Sequence, residues 1–579
     1  MGKIVVLGLT VIALVGGAAG AGHAQLPGLE DPLRTPVRFT GEIGSYGEFY
    51  SISGRERRRP SSTGRLFLRS SLELFGSVKV GLDLEYSTES GSGFGLSRSG
   101  RQPFNRIGIA PQWSWGRAYA GAFSDRYSPL TWDGIGLRGG GFSITPGPVR
   151  AAAFYGRSQS AVAGGAISGA YQRTMAGGKL GFGRTSERGE GAFIDLVFLR
   201  AADDMESLGV AAGESDNTIV NEFAVTPQEN IVIAAVTRVP FWSDQLVVSG
   251  EVAASVHSRD RRAPELTDEA LDEYAGLLRS LITPRASTYG DIAHNGKVEL
   301  RNFALPGATQ QSPRSLSASV GYRYIGAGYV SLGLASLPAD QQALTADIGV
   351  RFRNWNASLR GMQQHDNLLG QKLATTTRNR LAGSAMIRTS PGLSSSLRVS
   401  ISTLSNDTDD VSRQVDYTSW QIGASQTLSL GPQRLLRTVG LNYGYQQAGD
   451  GAPGRADRRL RAHDVSVRGT LQPRRNLTLT PSIGAAVSSN GAADWEIRQT
   501  YGFAAHHRVS AKLATSASLS NSRLNSGGSL NGAVSARYQI TPLDQVMLAL
   551  RSYRVSGLET EAGHFHENRV TLNWSRSIR

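Results

Sequence analysis

The chain has 579 residues, with 69 Gly, 22 Pro, no Cys, 19% charged residues and a formal net charge of +14. The lack of cysteine excludes disulfides and thiolate metal sites. A mean hydropathy of −0.22, with no apolar run of about 18 residues beyond the N-terminal region, excludes a bundle of membrane-crossing helices; the basic balance would suit nucleic acid in a soluble protein, but the charges are scattered singly along alternating segments and no nucleic-acid partner is expected.

The first element is a leader. Met1-Gly2-Lys3 is a short positive start, Ile4 to Gly20 is apolar and small, and Gly22-His23-Ala24 offers small residues at the first and third positions. This is the layout of a secretory signal peptide, residues 1–24, cut before Gln25. A retained anchoring helix is the alternative, for which the run is short. Residues 25–35 then form a short periplasmic segment, and 36–579 a single unit.

That unit is built from strands. From Gly64 to Thr88, Leu66, Leu68, Leu72 and Leu74 alternate with Arg69, Ser71 and Glu73; after Phe75-Gly76-Ser77, Val78, Val80, Leu82, Leu84 and Tyr86 alternate with Lys79, Asp83 and Glu85. A period of two marks extended chain, and two such runs about a tight turn make a hairpin. Strands of about 11 residues, tilted, span a bilayer's apolar slab. A strand near Val37–Ile52 precedes this hairpin, ending in the basic loop Arg55, Arg57, Arg58 and Arg59. Further pairs are expected at Asn105–Ala110 with Gln112–Phe123 about Pro111, Thr131–Ile144 with Val149–Ser158, Tyr171–Gly183 with Ala192–Ala201, and Asn230–Val239 with Gln245–Ser258.

The middle departs from the rhythm. Leu266, Ala270, Tyr274, Leu277, Leu278 and Leu281 fall at helical spacing, acidic residues crowd the first turns and Thr267 suits an N-cap. One amphipathic helix is expected in a loop insertion at 261–294, with Leu266, Tyr274, Leu277 and Leu281 on its packing face. It either folds inward as a plug or caps the rim. Alternation resumes near Lys297–Leu305 and Ser315–Tyr324, and then runs in pairs to Arg569–Ile578. Tight turns and long links take turns throughout, which favours a membrane barrel over a soluble solenoid or sandwich. The fold expected is all-β: a large antiparallel transmembrane β-barrel of about 26 strands (range 22–26) with that one helix in a long loop.

Within each strand the two faces differ. Val399 and Ile401 oppose Arg398; Ile348 and Val350 oppose Arg351; Leu359 opposes Arg360; Val465 and Val467 oppose Arg468. Val534 opposes Arg537, Leu548 and Leu550 oppose Arg551, and Val570 and Leu572 oppose Arg569. A lipid-facing Arg near mid-bilayer costs about 2–4 kcal/mol, so the apolar set is expected toward lipid and Arg351, Arg360, Arg398, Arg468, Arg537, Arg551 and Arg569 toward a lumen, attracting anions. They could instead pair across strands with Asp83, Glu85, Asp347 and Asp464. Trp113, Trp115, Trp242 and Trp355 lie by tight turns, and Trp132, Trp420 and Trp495 by long links, suggesting two interfacial belts.

Enzymatic signals are weak. His365-Asp366 and His463-Asp464 are adjacent, so extended chain points them apart, and no nucleophile elbow is present. Asp407, Asp409 and Asp410 lack the glycine and terminal glutamate of an EF-hand. No cofactor or metal is expected.

With its signal peptide, alternating hairpins and aromatic girdles, the chain resembles Gram-negative outer-membrane β-barrel channels over nearly its whole mature length. The resemblance implies insertion in the outer membrane, contact with lipid and lipopolysaccharide (through Arg55–Arg59 among others) and passage of polar or anionic solutes. The alternative it leaves open is a translocon barrel for a polymer or protein, with a separate plug or periplasmic partner. The globular plug of TonB-dependent receptors has no expected counterpart ahead of Val37. The C-terminal Trp574-Ser575-Arg576-Ser577-Ile578-Arg579 departs from the terminal aromatic common in such barrels.

Overall fold

A computed structural model describes residues 37–579, apart from 89–104, 163–168, 187–188, 209–224, 267–281, 310–311, 454–458, 492–494, 525 and 558–563. Its main element is a 26-stranded antiparallel sheet in which each strand pairs with the next, and the first, Val37–Ser53, pairs with the last, Phe565–Ile578. That seam runs from Gly41 opposite Ile578 to Ser53 opposite His566. The sheet is therefore a closed wall with no free edge, and every strand finds partners for its backbone groups on both sides. The leader expected at 1–24 and the segment 25–35 lie outside the described residues.

The founding hairpin is Ser62–Leu74 with Val78–Ser87, and Leu74 faces Val78 across Phe75-Gly76-Ser77. Phe75 and Gly76 adopt φ of 52° and 64°, the left-handed turn whose twist matches paired strands. Short and long connections alternate through the described chain, with two departures. The connection between Ala304 and Ser315 is long at the tight-turn end, and that between Leu524 and Gly527 is short at the other.

Three expectations are corrected. Pro111 is inside the strand Arg106–Trp113, opposite Val80, and the turn follows at Ser114-Trp115. Thr131–Ile144 is not one strand: Arg126–Ser128 and Trp132–Asp133 pair in a separate two-stranded sheet, and the wall resumes only at Leu137–Ile144. The insertion at 261–294 is narrower, because Thr288–Ala304 is a strand. A neck closes it, with Glu265 bridged to Arg285 and the Leu266 N–H donating to the Pro284 carbonyl at 3.0 Å. Leu266 is thus extended chain; the helix expected beyond it, with Tyr274, Leu277 and Leu281, lies outside the described residues.

Register fixes which side chains share a face, because directly paired residues point the same way. One unbroken row reads Ser317, Gly349, Ser358, Ser384, Arg398, Gly423, Gly444, Asp464 and Ala486. The alternate positions carry Ile348, Leu359, Val399 and Val465, of which Ile348 is 52% exposed. Over these nine strands the wall thus has a polar face and an apolar face.

Candidate functional site

All seven arginines singled out from the sequence fall on the polar face. Arg360 pairs with Asp347, Arg351 is two positions beyond Gly349, and Arg468 lies four positions along from Asp464. Arg551 faces Arg569 directly, and Arg537 faces Met547, which faces Asn573 in the same row as Tyr46. The structure also brings Arg380 and Arg498 onto this face, opposite Met362 and Ala486. The sequence reading passed over both, although each obeys the same parity as its neighbours.

Charge pairing divides the polar face into two sectors. Between residues 37 and 325 most of the arginines of this face are partnered: Arg69 reaches Asp83 at 3.6 Å and Glu85 at 3.7 Å, Arg106 reaches Asp83 at 4.0 Å, Arg150 holds Asp195 at 2.8 Å and Arg173 holds Asp203 at 2.7 Å, whereas Arg323 forms no ion pair with a described residue. Beyond residue 341, Arg360 pairs with Asp347, and Arg569 crosses the seam to Glu48 and Tyr46. Arg351, Arg380, Arg398, Arg468, Arg498, Arg537 and Arg551 form no ion pair with a described residue, and Arg551 donates only to the Asn531 side-chain carbonyl at 3.3 Å. Arg360, Arg380 and Arg398 share one concavity of about 970 Å³ with Asp347, Glu299 and Gln421. Arg551 and Arg569 share a second, about 520 Å³, with Tyr46 and His506.

The partnered sector also carries a shelf that the sequence reading missed. The connections 124–136 and 326–340 fold onto the polar face and meet there. Tyr329 Oη donates to the Leu130 carbonyl at 2.8 Å and Ser331 Oγ to the Thr131 carbonyl at 2.5 Å. Asn230, fully buried on the wall, clamps the second connection: its Nδ2 donates to the Val330 carbonyl and its Oδ1 accepts from the Leu332 N–H, both at 3.0 Å. Glu251 clamps the first, accepting from Ser128 Oγ and, at 3.3 Å, from the Leu130 N–H. Between them lies an apolar cluster of Leu130, Trp132 and Tyr329 against Phe154, Met175, Leu199 and Val232 of the wall. Burial of this kind contributes about 1.5–3 kcal/mol for each large side chain.

A signal for the shelf was present. Ile231-Val232-Ile233-Ala234-Ala235-Val236 is apolar without alternation, as expected of a strand covered on both faces.

Trp132 is therefore no belt residue: it is 1% exposed, its ring sits 4.0 Å from that of Phe154, and its Nε1 donates to the Ile135 carbonyl. Trp115, Trp242 and Trp355 are exposed near tight turns, and Trp420 and Trp495 near long links. His463 stacks among Tyr443, Tyr445 and Trp495 on the apolar face while Asp464 points to the other, and His365 and Asp366 divide likewise. Neither pair forms a dyad. Of the basic loop, Arg59 approaches Glu48 at 3.8 Å, and Arg55, Arg57 and Arg58 are exposed. Among the described residues no group of three His, Cys, Asp or Glu is placed to hold a metal.

No family model matches the chain, and no curated protein matches it. Solved structures do. OccAB2 of Acinetobacter baumannii is 10% identical, covers 61% of this chain and 93% of its own, and has a TM-score of 0.29. OccK1 (OpdK) of Pseudomonas aeruginosa is 11% identical with the same coverage and TM-score. A point mutant of the ferric enterobactin receptor PfeA of Pseudomonas aeruginosa is 8% identical, covers 93% of this chain and 80% of its own, with a TM-score of 0.40.

Proposed function

We propose that the chain is an outer-membrane channel whose polar face is its lumen and whose unpaired arginines favour the passage of polar and anionic solutes. The observation that carries this reading is the two-faced closed wall. A band of Ile, Leu and Val on one side suits hydrocarbon, where a charged group costs about 2–4 kcal/mol at mid-depth, and a charged interior suits water. Arginines without carboxylate partners raise the local concentration of anions. The shelf narrows the same lumen from the partnered sector, so solutes would move between an apolar, hydrogen-bonded shelf and a basic wall. No carboxylate-paired or metal-bound reaction centre is needed for this role, and no enzymatic activity is proposed.

Planar-bilayer recording of the purified chain tests the reading. Open channels with a reversal potential favouring chloride over potassium support it; silence at all voltages rejects it. The plug role expected of Tyr274, Leu277 and Leu281 belongs to the same proposal, and deleting 267–281 should raise conductance. A translocon barrel gated by a periplasmic partner is the second reading, favoured by the lumen width that 26 strands imply. Channels that stay closed until such a partner is stripped away would select it.

A further inference from the structure

The arginines of the lumen are not the only ones without carboxylates. Arg138 and Arg157 lie directly opposite each other on the neighbouring strands Leu137–Ile144 and Val149–Gln159. Register places both on the apolar face: their row continues into Ala122 on one side and Thr174 on the other, and the next row carries Tyr155, which is 66% exposed. Like charges directly opposite on adjacent strands repel. Arg138 Nη2 donates to the Asn105 carbonyl at 3.1 Å and Arg157 Nη1 to Gln172 Oε1 at 3.1 Å. Both acceptors are neutral, and no ion pair joins either arginine to a described residue. The remaining N–H donors of both guanidinium forks are left for an anion, whose oxygens they match in pairs.

The surroundings say what sort of anion. These strands are among the shortest in the wall, with 8 residues in Arg106–Trp113, Gly116–Phe123 and Leu137–Ile144 against 17 in Val37–Ser53. The arginines stand at their long-link end, one turn of the pleat beyond Tyr155, whose amphipathic ring suits headgroup depth. Below them small residues leave a shallow groove in the apolar face, between Phe142, opposite Ala153 and 42% exposed, and Phe198, opposite Gly178. Ala120, Gly140, Ala153, Ala176 and Gly178 occupy it, with Tyr155 opposed to Gly140 on one side and Ala176 on the other. A shallow groove of small residues under a pair of cations fits extended acyl chains beneath an anionic head.

We infer that Arg138 and Arg157 bind the phosphate of a phosphorylated membrane glycolipid, whose chains lie along the Ala/Gly strip. The inference rests on the apolar face meeting lipid, but not on conduction. A second copy of the chain is the less favoured occupant, because it would leave the two charges unneutralised.

The test uses the full chain in phosphatidylcholine nanodiscs doped with a phosphorylated, acylated glucosamine disaccharide or with the same lipid stripped of phosphate. Native mass spectrometry counts the lipid retained per barrel. The wild type should keep about one phosphorylated molecule and none of the stripped form. Arg138→Gln with Arg157→Gln should lower retention about tenfold, Arg138→Lys with Arg157→Lys should give an intermediate value, and Arg461→Gln, also an exposed arginine of the apolar face, should match the wild type. Unaltered single-channel conductance in each variant establishes that the barrel is folded and reports on transport separately. Equal retention by the double glutamine variant would overturn the assignment. So would displacement of the lipid by millimolar inorganic phosphate, which would mark a free-anion site. A barrel dimer that the double variant splits would also overturn it, marking an interface between copies.

Discussion

The phenol of Tyr329 donates a hydrogen bond to the main-chain carbonyl of Leu130 at 2.8 Å, across 199 residues of sequence. It joins two connections that start from distant wall strands, and both partners are almost wholly buried. With the Ser331 bond to the Thr131 carbonyl and the Asp133 N–H donating to the Gly333 carbonyl, this contact makes the shelf one body instead of two loops. Tyr329→Phe removes it and leaves the carbonyl buried, at about 1–3 kcal/mol. Trp132→Ala empties the middle of the cluster at about 3–5 kcal/mol. Amide exchange along 124–136 should quicken in both variants, more in the second. Conductance should rise in Trp132→Ala if the shelf narrows the lumen; exchange at the wild-type rate would show that the shelf does not depend on these contacts.

Gly333 offers a gentler probe of the same contact. A Cβ there would stand 2.3 Å from the Thr131 carbonyl oxygen and 2.6 Å from Leu199 Cδ2. Backbone cannot retreat as a side-chain tip can, so Gly333→Ala should destabilise the shelf by about 1–3 kcal/mol. The wall itself should unfold in denaturant at the wild-type midpoint.

The unpaired arginines predict a graded loss of selectivity. Replacing Arg398, Arg468, Arg537 and Arg551 with Gln keeps length and hydrogen bonding but removes fixed charge. The chloride-to-potassium permeability ratio should fall by roughly threefold or more, with the effect strongest at low salt. Arg69→Gln, which frees Glu85 and leaves Asp83 only its 4.0 Å contact with Arg106, should shift selectivity toward cations. Indifference of the reversal potential to all of these would detach the arginines from permeation.

Asp340 gives a pH dependence with a definite sign. It lies at the end of the second shelf connection. Burial pushes its carboxyl up, but hydrogen bonds from Lys372 and from the Leu368 and Asn367 N–H groups outweigh burial and hold it below the ordinary carboxylate range of about 3.8. A carboxyl depressed in the folded state contributes stability that is present above its unfolded pKa and lost as pH falls through the folded value. Acidification from about pH 5 toward pH 3 and below should therefore loosen the 367–375 connection, and Asp340→Asn should flatten that dependence. Lys372, raised chiefly by the same hydrogen bond, contributes up to its ordinary pKa near 10.5 and loses that contribution above it.

Closure can be tested at the seam. Gly44 lies between the second strand and the last; a Cβ there would meet Phe67 Cζ and the Trp574 carbonyl oxygen, each at 2.5 Å. The ring can swing away but the carbonyl cannot. Gly44→Val should reduce the fraction of chain that migrates as a compact, heat-modifiable barrel, whereas valine at Gly423, which has nothing within 4 Å, should not.

The amino-acid order by itself carried the strand rhythm, a strand count of about 26 and the parity of the seven arginines it singled out. It could do so because side-chain parity in extended chain is a local property: Arg398 and Val399 must point apart whatever they pair with. It did not settle what covers those faces. Trp132 reads as a belt residue when judged by its neighbours in sequence, and only the meeting of 124–136 with 326–340 buries it. Pro111 looks like a turn until pairing with Val80 places it in a strand. Which arginines keep a carboxylate partner was equally a tertiary matter: Arg569 is neutralised by Glu48 only because the last strand returns to the first, and Arg138 meets Arg157 only because the intervening turn sets that register. Periodicity is written residue by residue, but contact across long separations depends on closure, and closure is a property of the whole wall.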